Sequence, residues 1–287
     1  MSKYLKTLLR GTLSENELEL LYSSYDIIGD IAIIKIPEVL LNYKHVIGKA
    51  LLKNIKNLKT VLIQSNSVSG EYRLRGVDFI AGDERYLTIY KEFGCKFLVN
   101  VATSYFSPRL STERLRLSNL VNANELVLNM FAGVGTFSVV MAKKKPLKVV
   151  NLDSNLDAHV LSIINSKING VGQHITSFHG DARNILQSKN YLNNFDRILL
   201  PLPENAHEFI DVALSCLKSS GGILHFFSHV KSDTKKNVVF ESEKYIKKLF
   251  SYFPCDYQIS HTQIVRDVAP RIYQIVTDLV IDKRYPL

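Results

Sequence analysis

A chain of 287 residues exceeds one average domain, so two domains, or one with an appendage, is expected. Hydrophobic residues make up 46%, which excludes a disordered chain, and no run approaches the ~18 uncharged apolar residues of a membrane helix. The opening MSKYLKTLLRGTLSENE lacks the apolar core of a signal peptide, so a soluble, cytoplasmic protein is expected, and a formal net charge of +9 favours a polyanionic partner such as nucleic acid. Cys95, Cys216 and Cys255 lie far apart and the eight histidines are scattered, so neither a disulfide framework nor a metal site is expected.

After a short N-terminal segment, residues 1–22, strand-like runs occur at IIGDIAIIKI (27–36), TVLIQS (60–65), VDFIAG (77–82), YLTIYKEFG (86–94) and KFLVNV (96–101). Between the first two, PEVLLNYKHVIGKALLKNI (37–55) has helical periodicity, with Pro37 suited to a first turn. Strands around a helix predict a small α+β domain over 23–104.

From Tyr105 the rhythm changes, and residues 105–287 are predicted to form a second domain. SPRLSTERLRLSNLV reads as a helix with Ser107 as N-cap and Pro108 at its first position. Strand and helix then alternate: ELVLNMFAG (125–133), GTFSVVMAKK (135–144), KVVNLDS (148–154), LDAHVLSIINSKING (156–170), ITSFHGDA (175–182) and FDRILLPLP (195–203). NAHEFIDVALSCLKSSGG (205–222) is helical, GILHFFSHV (222–230) a strand and ESEKYIKKLFSYF (241–253) a helix; two late strands lie around HTQIVRDV and RIYQIVTDLVI. This alternation predicts an α/β, doubly wound, mostly parallel sheet with an antiparallel edge hairpin.

In such a sheet a ligand sits beyond the carboxyl ends of the strands, where their order reverses. The first strand of the second domain ends in Phe131-Ala132-Gly133-Val134-Gly135-Thr136. Position 138 is serine, so this is a GxG turn and not the full dinucleotide pattern; by itself a tight βα turn explains it equally well. The second strand ends at Asp153, where a carboxylate can accept both hydroxyls of a ribose, and the third at Gly180-Asp181-Ala182-Arg183, where Asp181 can accept from an adenine amino group. The fourth ends at Leu200-Pro201-Leu202-Pro203. Each acid taken singly is as readily a helix N-cap, but four strand ends bearing these groups in this order point to a nucleoside cofactor. The incomplete glycine pattern favours S-adenosylmethionine over NAD.

Five segments, YDIIGDIAIIKIPE (25–38), GEYRLRGVDFIAG (70–82), YFSPRLSTERLR (105–116), NMFAGVGTFS (129–138) and LPLPENAHEFID (200–211), carry a resemblance to the archaeal-eukaryotic tRNA (guanine-37-N1)-methyltransferases and their wyosine-pathway relatives. The resemblance runs from Tyr25 to the C-terminus and implies a class I (Rossmann-like) methyltransferase domain joined to a smaller RNA-contacting domain, acting with S-adenosylmethionine on the anticodon loop of tRNA as a monomer. It implies that Arg73 contacts the guanine carbonyl, that Glu113 is the general base for the N1 proton, and that Tyr105, Arg109 and Arg114 flank that acid and the target nucleotide. Asp153, Asn155 and Asp181 match cofactor contacts, joined by Phe131, Gly133, Gly135 and Ala182 of the strand-end turns; Pro201 falls at the catalytic loop and Pro203 beside the substrate.

Two departures stand out. Many members carry Asn-Leu-Pro where this chain has Pro201-Leu202-Pro203, a change that resembles the subgroup methylating the tricyclic wyosine precursor 4-demethylwyosine (imG-14). Many also carry a separate N-terminal domain, and only about twenty residues precede the Tyr25 match.

The chemistry asks for the same residue types. Guanine N1–H is too weakly acidic to react as a nucleophile near neutral pH, so a methylating enzyme needs a base for that proton and a cation for the carbonyl oxygen. Glu113 and Arg73 would meet those needs, although from spacing alone Glu113-Arg114 reads more simply as a solvated helix turn. Arg73, Arg75, Arg109, Arg114 and Arg116 are expected near the target, with Tyr72, Tyr105 and Phe106 available to stack on an unstacked base. Two other readings compete: a wyosine-pathway aminocarboxypropyl transferase acting at the same tRNA position, and a non-catalytic RNA-binding module.

Overall fold

The computed structural model describes residues 2–22, 24–65 and 74–284, in two compact units, Met1–Pro108 and Arg109–Leu287. The first unit opens with α1 (Ser2–Leu8) and α2 (Glu15–Leu20), the latter started by a capping box in which Ser14 and Glu17 satisfy each other's backbone N–H. Strands β1 (Tyr25–Ile28) and β2 (Ile31–Ile34) form a hairpin, and a 3-10 turn (Glu38–Tyr43) leads into α3 (Lys44–Asn54). β3 (Thr60–Gln64) and β4 (Val77–Gly82) complete a sheet of order β1-β2-β3-β4, in which β2 and β3 are parallel and joined through α3. β5 (Leu87–Glu92) and β6 (Cys95–Asn100) form a separate antiparallel pair.

Leu5, Leu9, Leu13, Leu18 and Leu21 share one buried cluster with Ile34, Ile47, Leu51, Val61 and Ile80, so the first two helices help to build the core of this unit. The run 27–36 is two strands instead of one. Gly29 turns the chain at φ 59°, and a Cβ there would lie 2.2 Å from Thr88 Oγ1 and 2.6 Å from the Ile89 carbonyl oxygen. Asp30 fixes the turn by accepting from Thr88 Oγ1 (2.7 Å) and pairing with Arg85 (2.5 Å).

A 3-10 turn at Pro108–Leu110 precedes α4 (Ser111–Leu120), which therefore starts later than Ser107 and Pro108 suggest. The sheet of the second unit is built from β7 (Leu126–Asn129), β8 (Lys148–Asp153), β9 (Ile175–His179), β10 (Arg197–Leu200), β11 (Gly222–Lys231), β12 (Cys255–Ala269) and β13 (Ile272–Arg284). The order is β12-β13-β11-β10-β7-β8-β9: five parallel strands edged by an antiparallel hairpin, as the alternation predicts. β10 shows why this sheet is central. All four of its residues are buried, as in a parallel strand covered on both faces. The connecting helices are α5 (Thr136–Lys144), α6 (Leu156–Ile168), α7 (Ala182–Ser188), α8 (Ile210–Cys216) and α9 (Val238–Phe250). Of these, α7 has no counterpart in the sequence reading, because the polar stretch after Arg183 carries too few apolar residues to show a period.

Candidate active site

The strand order reverses between β7 and β10, which flank the centre of the parallel sheet, and the GxG turn lies just beyond β7 at that reversal. Gly133 and Gly135 both have positive φ, 55° and 82°. The Gly133 N–H donates to Asp153 Oδ2 (2.6 Å), and the Asn155 N–H donates to Oδ1 of the same carboxylate (2.9 Å). The end of β8 therefore clamps the turn after β7. Burial pushes the Asp153 carboxyl above its ordinary pKa, and the two backbone donors oppose that shift. A carboxylate held by one lone pair on each oxygen keeps its others for a diol, the donor set that a ribose presents.

Beneath the turn lies a buried polar chain. Asn129 Nδ2 donates to Ser138 Oγ (3.0 Å), Ser138 to Asn151 Oδ1 (2.5 Å), and Asn151 Nδ2 to Ser162 Oγ (3.0 Å). Asn165 Nδ2 donates to the Val134 carbonyl (2.9 Å), so α6 grips the turn directly. Ser138, which breaks the dinucleotide pattern, joins β7 to β8 through this chain.

The other strand ends are occupied as helix caps. Asn155 Oδ1 accepts from the N–H groups of Asp157 and Ala158 at the start of α6, and Asp181 Oδ1 accepts from Asn184 N–H (3.1 Å) at the start of α7. Both acidic and amide candidates thus have the local structural role, which does not compete with cofactor contacts from their remaining atoms. Ala182 is 5% exposed and its methyl belongs to the core, leaving only its backbone for a ligand. Past β10, Pro201 and Leu202 are partly exposed, and the Leu202 carbonyl accepts from Asn205 and Ala206 N–H to close the loop. Phe131 meets Phe209 edge-on at 4.9 Å, and Arg183 lies 5.2 Å over Phe209 while pairing with Asp211.

Glu113 is not a solvated helix residue. It is 1% exposed, and its helix α4 packs against α5, the helix that opens at the Gly135 turn. Its carboxylate takes both arms of Arg116, Nε to Oε2 (2.9 Å) and Nη2 to Oε1 (2.7 Å), and accepts from Gln263 Nε2 at Oε2 (2.6 Å). Arg116 also donates to Asp278, Nη1 to Oδ2 (2.6 Å) and Nη2 to Oδ1 (3.1 Å). Asp278 Oδ1 is 2.5 Å from His225 Nδ1, and His225 Nε2 is 2.7 Å from Arg197 Nη1. Arg197 in turn clasps Glu125 (2.8 and 3.0 Å). A guanidinium can only donate, so His225 Nε2 accepts; the ring is neutral and its Nδ1–H donates to Asp278. Burial pushes His225 below its ordinary pKa, reinforced by the two arginines against the pull of Asp278.

This network corrects the expected arginine cluster. Arg116 is committed to Glu113 and Asp278, and Arg75 in the first unit pairs with Asp26 (2.8 Å), so neither is a spare cation for RNA. Arg114 is 1% exposed, whereas Arg109 is exposed. Phe106 is corrected too: it is buried and packs on Tyr90 at 4.9 Å, a core ring and not a stacking platform. Tyr105 is partly exposed and, with Arg75, lines a small pocket of the first unit. Tyr72 and Arg73 lie outside the described residues. Sequence reading missed Gln263, Asp278, His225 and Arg197. The available signal was a charged or imidazole side chain in the middle of strands that are otherwise apolar, as in DRILL, ILHFF and VTDLV.

Residues 88–253 match the family described as TRM5/TYW2 methyltransferase domain, more than half of the chain. The chain belongs to this family. Residues 5–85 also match the TYW2 N-terminal domain. Among curated relatives of this TRM5/TYW2 member, the tRNA (guanine(37)-N(1))-methyltransferase Trm5b of Pyrococcus abyssi is 38% identical over 89% of this chain and 74% of its own length. The tRNA 4-demethylwyosine(37)-methyltransferase Taw21 of Saccharolobus solfataricus is 31% identical over 96% of this chain and 99% of its own. The crystal structure of Pyrococcus abyssi Trm5b superposes with a TM-score of 0.82 at 35% identity, covering 94% of this chain and 78% of that one. Among the described residues of this family member, no group of three metal-binding side chains is assembled, and no helix is long and apolar enough to cross a membrane.

Proposed function

We propose that this protein transfers a methyl group from S-adenosylmethionine to the base at position 37 of tRNA, with guanine N1 as the first target and the 4-demethylwyosine carbon as the second. The observation that carries this reading is the placement of two carboxylates in one unit of a methyltransferase-family chain: Asp153 braced by Gly133 at the strand reversal, and the buried Glu113 on the helix packed against the same turn's helix. S-adenosylmethionine brings an already activated methyl group, which leaves this chain to bind, orient and handle a proton. In this reading Asp153 takes the ribose hydroxyls. Phe131, Gly133, Gly135 and Asn155 shape the rest of the cofactor pocket, with Asp181 and the Ala182 backbone at its adenine end. Glu113 accepts the N1 proton and Arg73 offsets charge growing on the guanine carbonyl. Tyr105, Arg109, Arg114 and Pro203 hold the target nucleotide, and Pro201 sets how large a base is accepted. The partner is the anticodon loop of tRNA, met by a monomer in the cytoplasm.

Pro201 and the match of residues 5–85 to the TYW2 N-terminal domain support a wyosine-pathway reaction as the second reading, including transfer of the aminocarboxypropyl group. Mass spectrometry of nucleosides from unmodified and 4-demethylwyosine-containing tRNA, incubated with labelled S-adenosylmethionine, separates these outcomes. A methyl gain on guanosine supports the first target. An aminocarboxypropyl gain replaces methyl transfer, and no gain on either tRNA refutes both.

A further inference from the structure

Three carboxylates, Glu113, Asp278 and Glu125, share two guanidinium groups, Arg116 and Arg197, in the buried network of the second unit. Each arginine serves the carboxylates nearest it: Arg197 is spent on Glu125, and Arg116 is divided between Asp278 and Glu113. Arg116 is thus the guanidinium that Asp278 and Glu113 have in common. Asp278 is held in its ionised form. Although burial pushes its carboxyl up, donation from His225 and Arg116 holds it well below the usual carboxylate range. Taking a proton at Asp278 would also turn the acceptor of both the His225 Nδ1–H and Arg116 into a donor. Glu113, at the other end of the chain, accepts from the same arginine and from one amide.

The amide is itself oriented. His261 Nε2 lies 3.2 Å from Gln263 Oε1, so the ring N–H donates to the amide oxygen and the Gln263 NH2 points to Glu113. The strands bring these groups together: β13 supplies Asp278 opposite His225 of β11, and β12 supplies Gln263 opposite Val276. On α4 itself, Arg114 is the other buried charged residue.

We propose that Asp278 and Gln263 are positioning residues that set the basicity of Glu113 from opposite sides, Asp278 by drawing Arg116 away from it and Gln263 by donating to its ionised form. This inference rests on Glu113 being the base of the proposed methyl transfer. There the N1 proton passes to Glu113 while the N1 electron pair forms the bond to the methyl carbon, and the C–S pair stays on sulfur.

The two residues have opposite signatures in single-turnover rate against pH, measured with excess enzyme and cofactor. Asp278→Asn gives Arg116 wholly to Glu113, making it a weaker base. The acid limb moves down by about one pH unit and the plateau rate falls about 3-fold, as Brønsted behaviour requires. Gln263→Leu removes a donor to the carboxylate, and the acid limb moves up by several tenths of a pH unit. In both variants tRNA and cofactor affinities stay within about twofold of wild type. In a Glu113→Gln background neither substitution changes the residual rate further, a non-additivity that a merely structural role would not produce. Limbs that stay in place, or move in the same direction, overturn the proposal. If Asp278→Asn does not fold, the partly exposed Gln263 still decides: an unmoved limb in Gln263→Leu overturns it. If Glu113→Gln alone keeps the wild-type rate, the base assignment itself fails and this inference fails with it, an outcome distinct from the others.

Discussion

Gly135→Ala tests whether the turn beyond β7 is built for a ligand. The residue sits at φ 82°, where a side chain meets its own backbone, at a cost of about 1 kcal/mol. The added Cβ would lie 2.7 Å from Ser162 Oγ and 3.3 Å from Ser162 Cβ. Ser162 Oγ cannot simply rotate away, because it accepts from Asn151 Nδ2 (3.0 Å) and lies 3.3 Å from Ser177 Oγ. Displacing it leaves a buried amide donor unsatisfied, at a further ~1–2 kcal/mol. The sum is about 2–3 kcal/mol, which for a unit of this size lowers Tm by roughly 4–12 °C. The same displacement pushes the turn off Asp153, so cofactor affinity falls by tenfold or more. Thermal unfolding and calorimetric titration with S-adenosylmethionine read the two effects separately. Adding Ser162→Ala restores part of the lost affinity by removing the clashing oxygen. Full stability and full affinity in Gly135→Ala would refute the account of the turn, and lost stability with unchanged affinity would separate the turn from the cofactor.

Glu113→Gln is expected to lower the single-turnover rate on guanine by at least 100-fold with little change in cofactor affinity, and raising pH should partly restore it because more N1 is deprotonated in solution; an unchanged rate removes the acid from the mechanism. Although burial pushes the Glu125 carboxyl up, Arg197 and Asn122 together hold it below its ordinary value of 4.5. Its folded pKa is depressed, so its stabilisation is present above about pH 4.5 and is lost as pH falls through the lower folded value. Urea unfolding from pH 6 to pH 3 should show this loss, and Glu125→Gln should flatten the slope while costing about 3 kcal/mol at pH 7 by leaving Arg197 buried with less compensation. Pro201→Asn supplies a donor and an acceptor that proline lacks, and should shift the ratio of rates toward guanine N1 over the 4-demethylwyosine carbon. Competition between the two tRNAs measures that ratio, and an unchanged value makes Pro201 a backbone choice only.

How much of this was legible in the sequence depends on the range over which each signal acts. The parallel sheet was readable because its strands and helices are single apolar periods separated by glycine and proline, as in FDRILLPLP and the Gly221-Gly222 end before β11. The positions of the GxG turn, Asp153 and Asp181 were readable because a βα unit ends at a fixed place, and the structure puts all three at strand ends. Asp181 and Asn155 also show why a strand-end acid is ambiguous: the same oxygen that suits a cofactor caps the next helix. The hairpin inside 27–36 was missed because IIGDIAIIKI keeps its apolar content across the turn; the Gly29-Asp30 pair between its two apolar halves was the available hairpin signal. The Glu113 network was hidden for a stronger reason. Its directly bonded members lie up to 162 residues apart, and the local reading of Glu113-Arg114 as a solvated helix turn follows from the charged residues of that segment alone. What reverses that reading is the edge hairpin, which carries Asp278 and Gln263 back over α4 and converts a surface ion pair into a buried one. A charged residue inside an apolar strand is locally a defect; Asp278 in VTDLV and His225 in ILHFF are tolerated because each is the other's partner across β11 and β13. The informative feature was therefore a pair of such defects in strands predicted to be neighbours, a signal that exists only once the strand order is known.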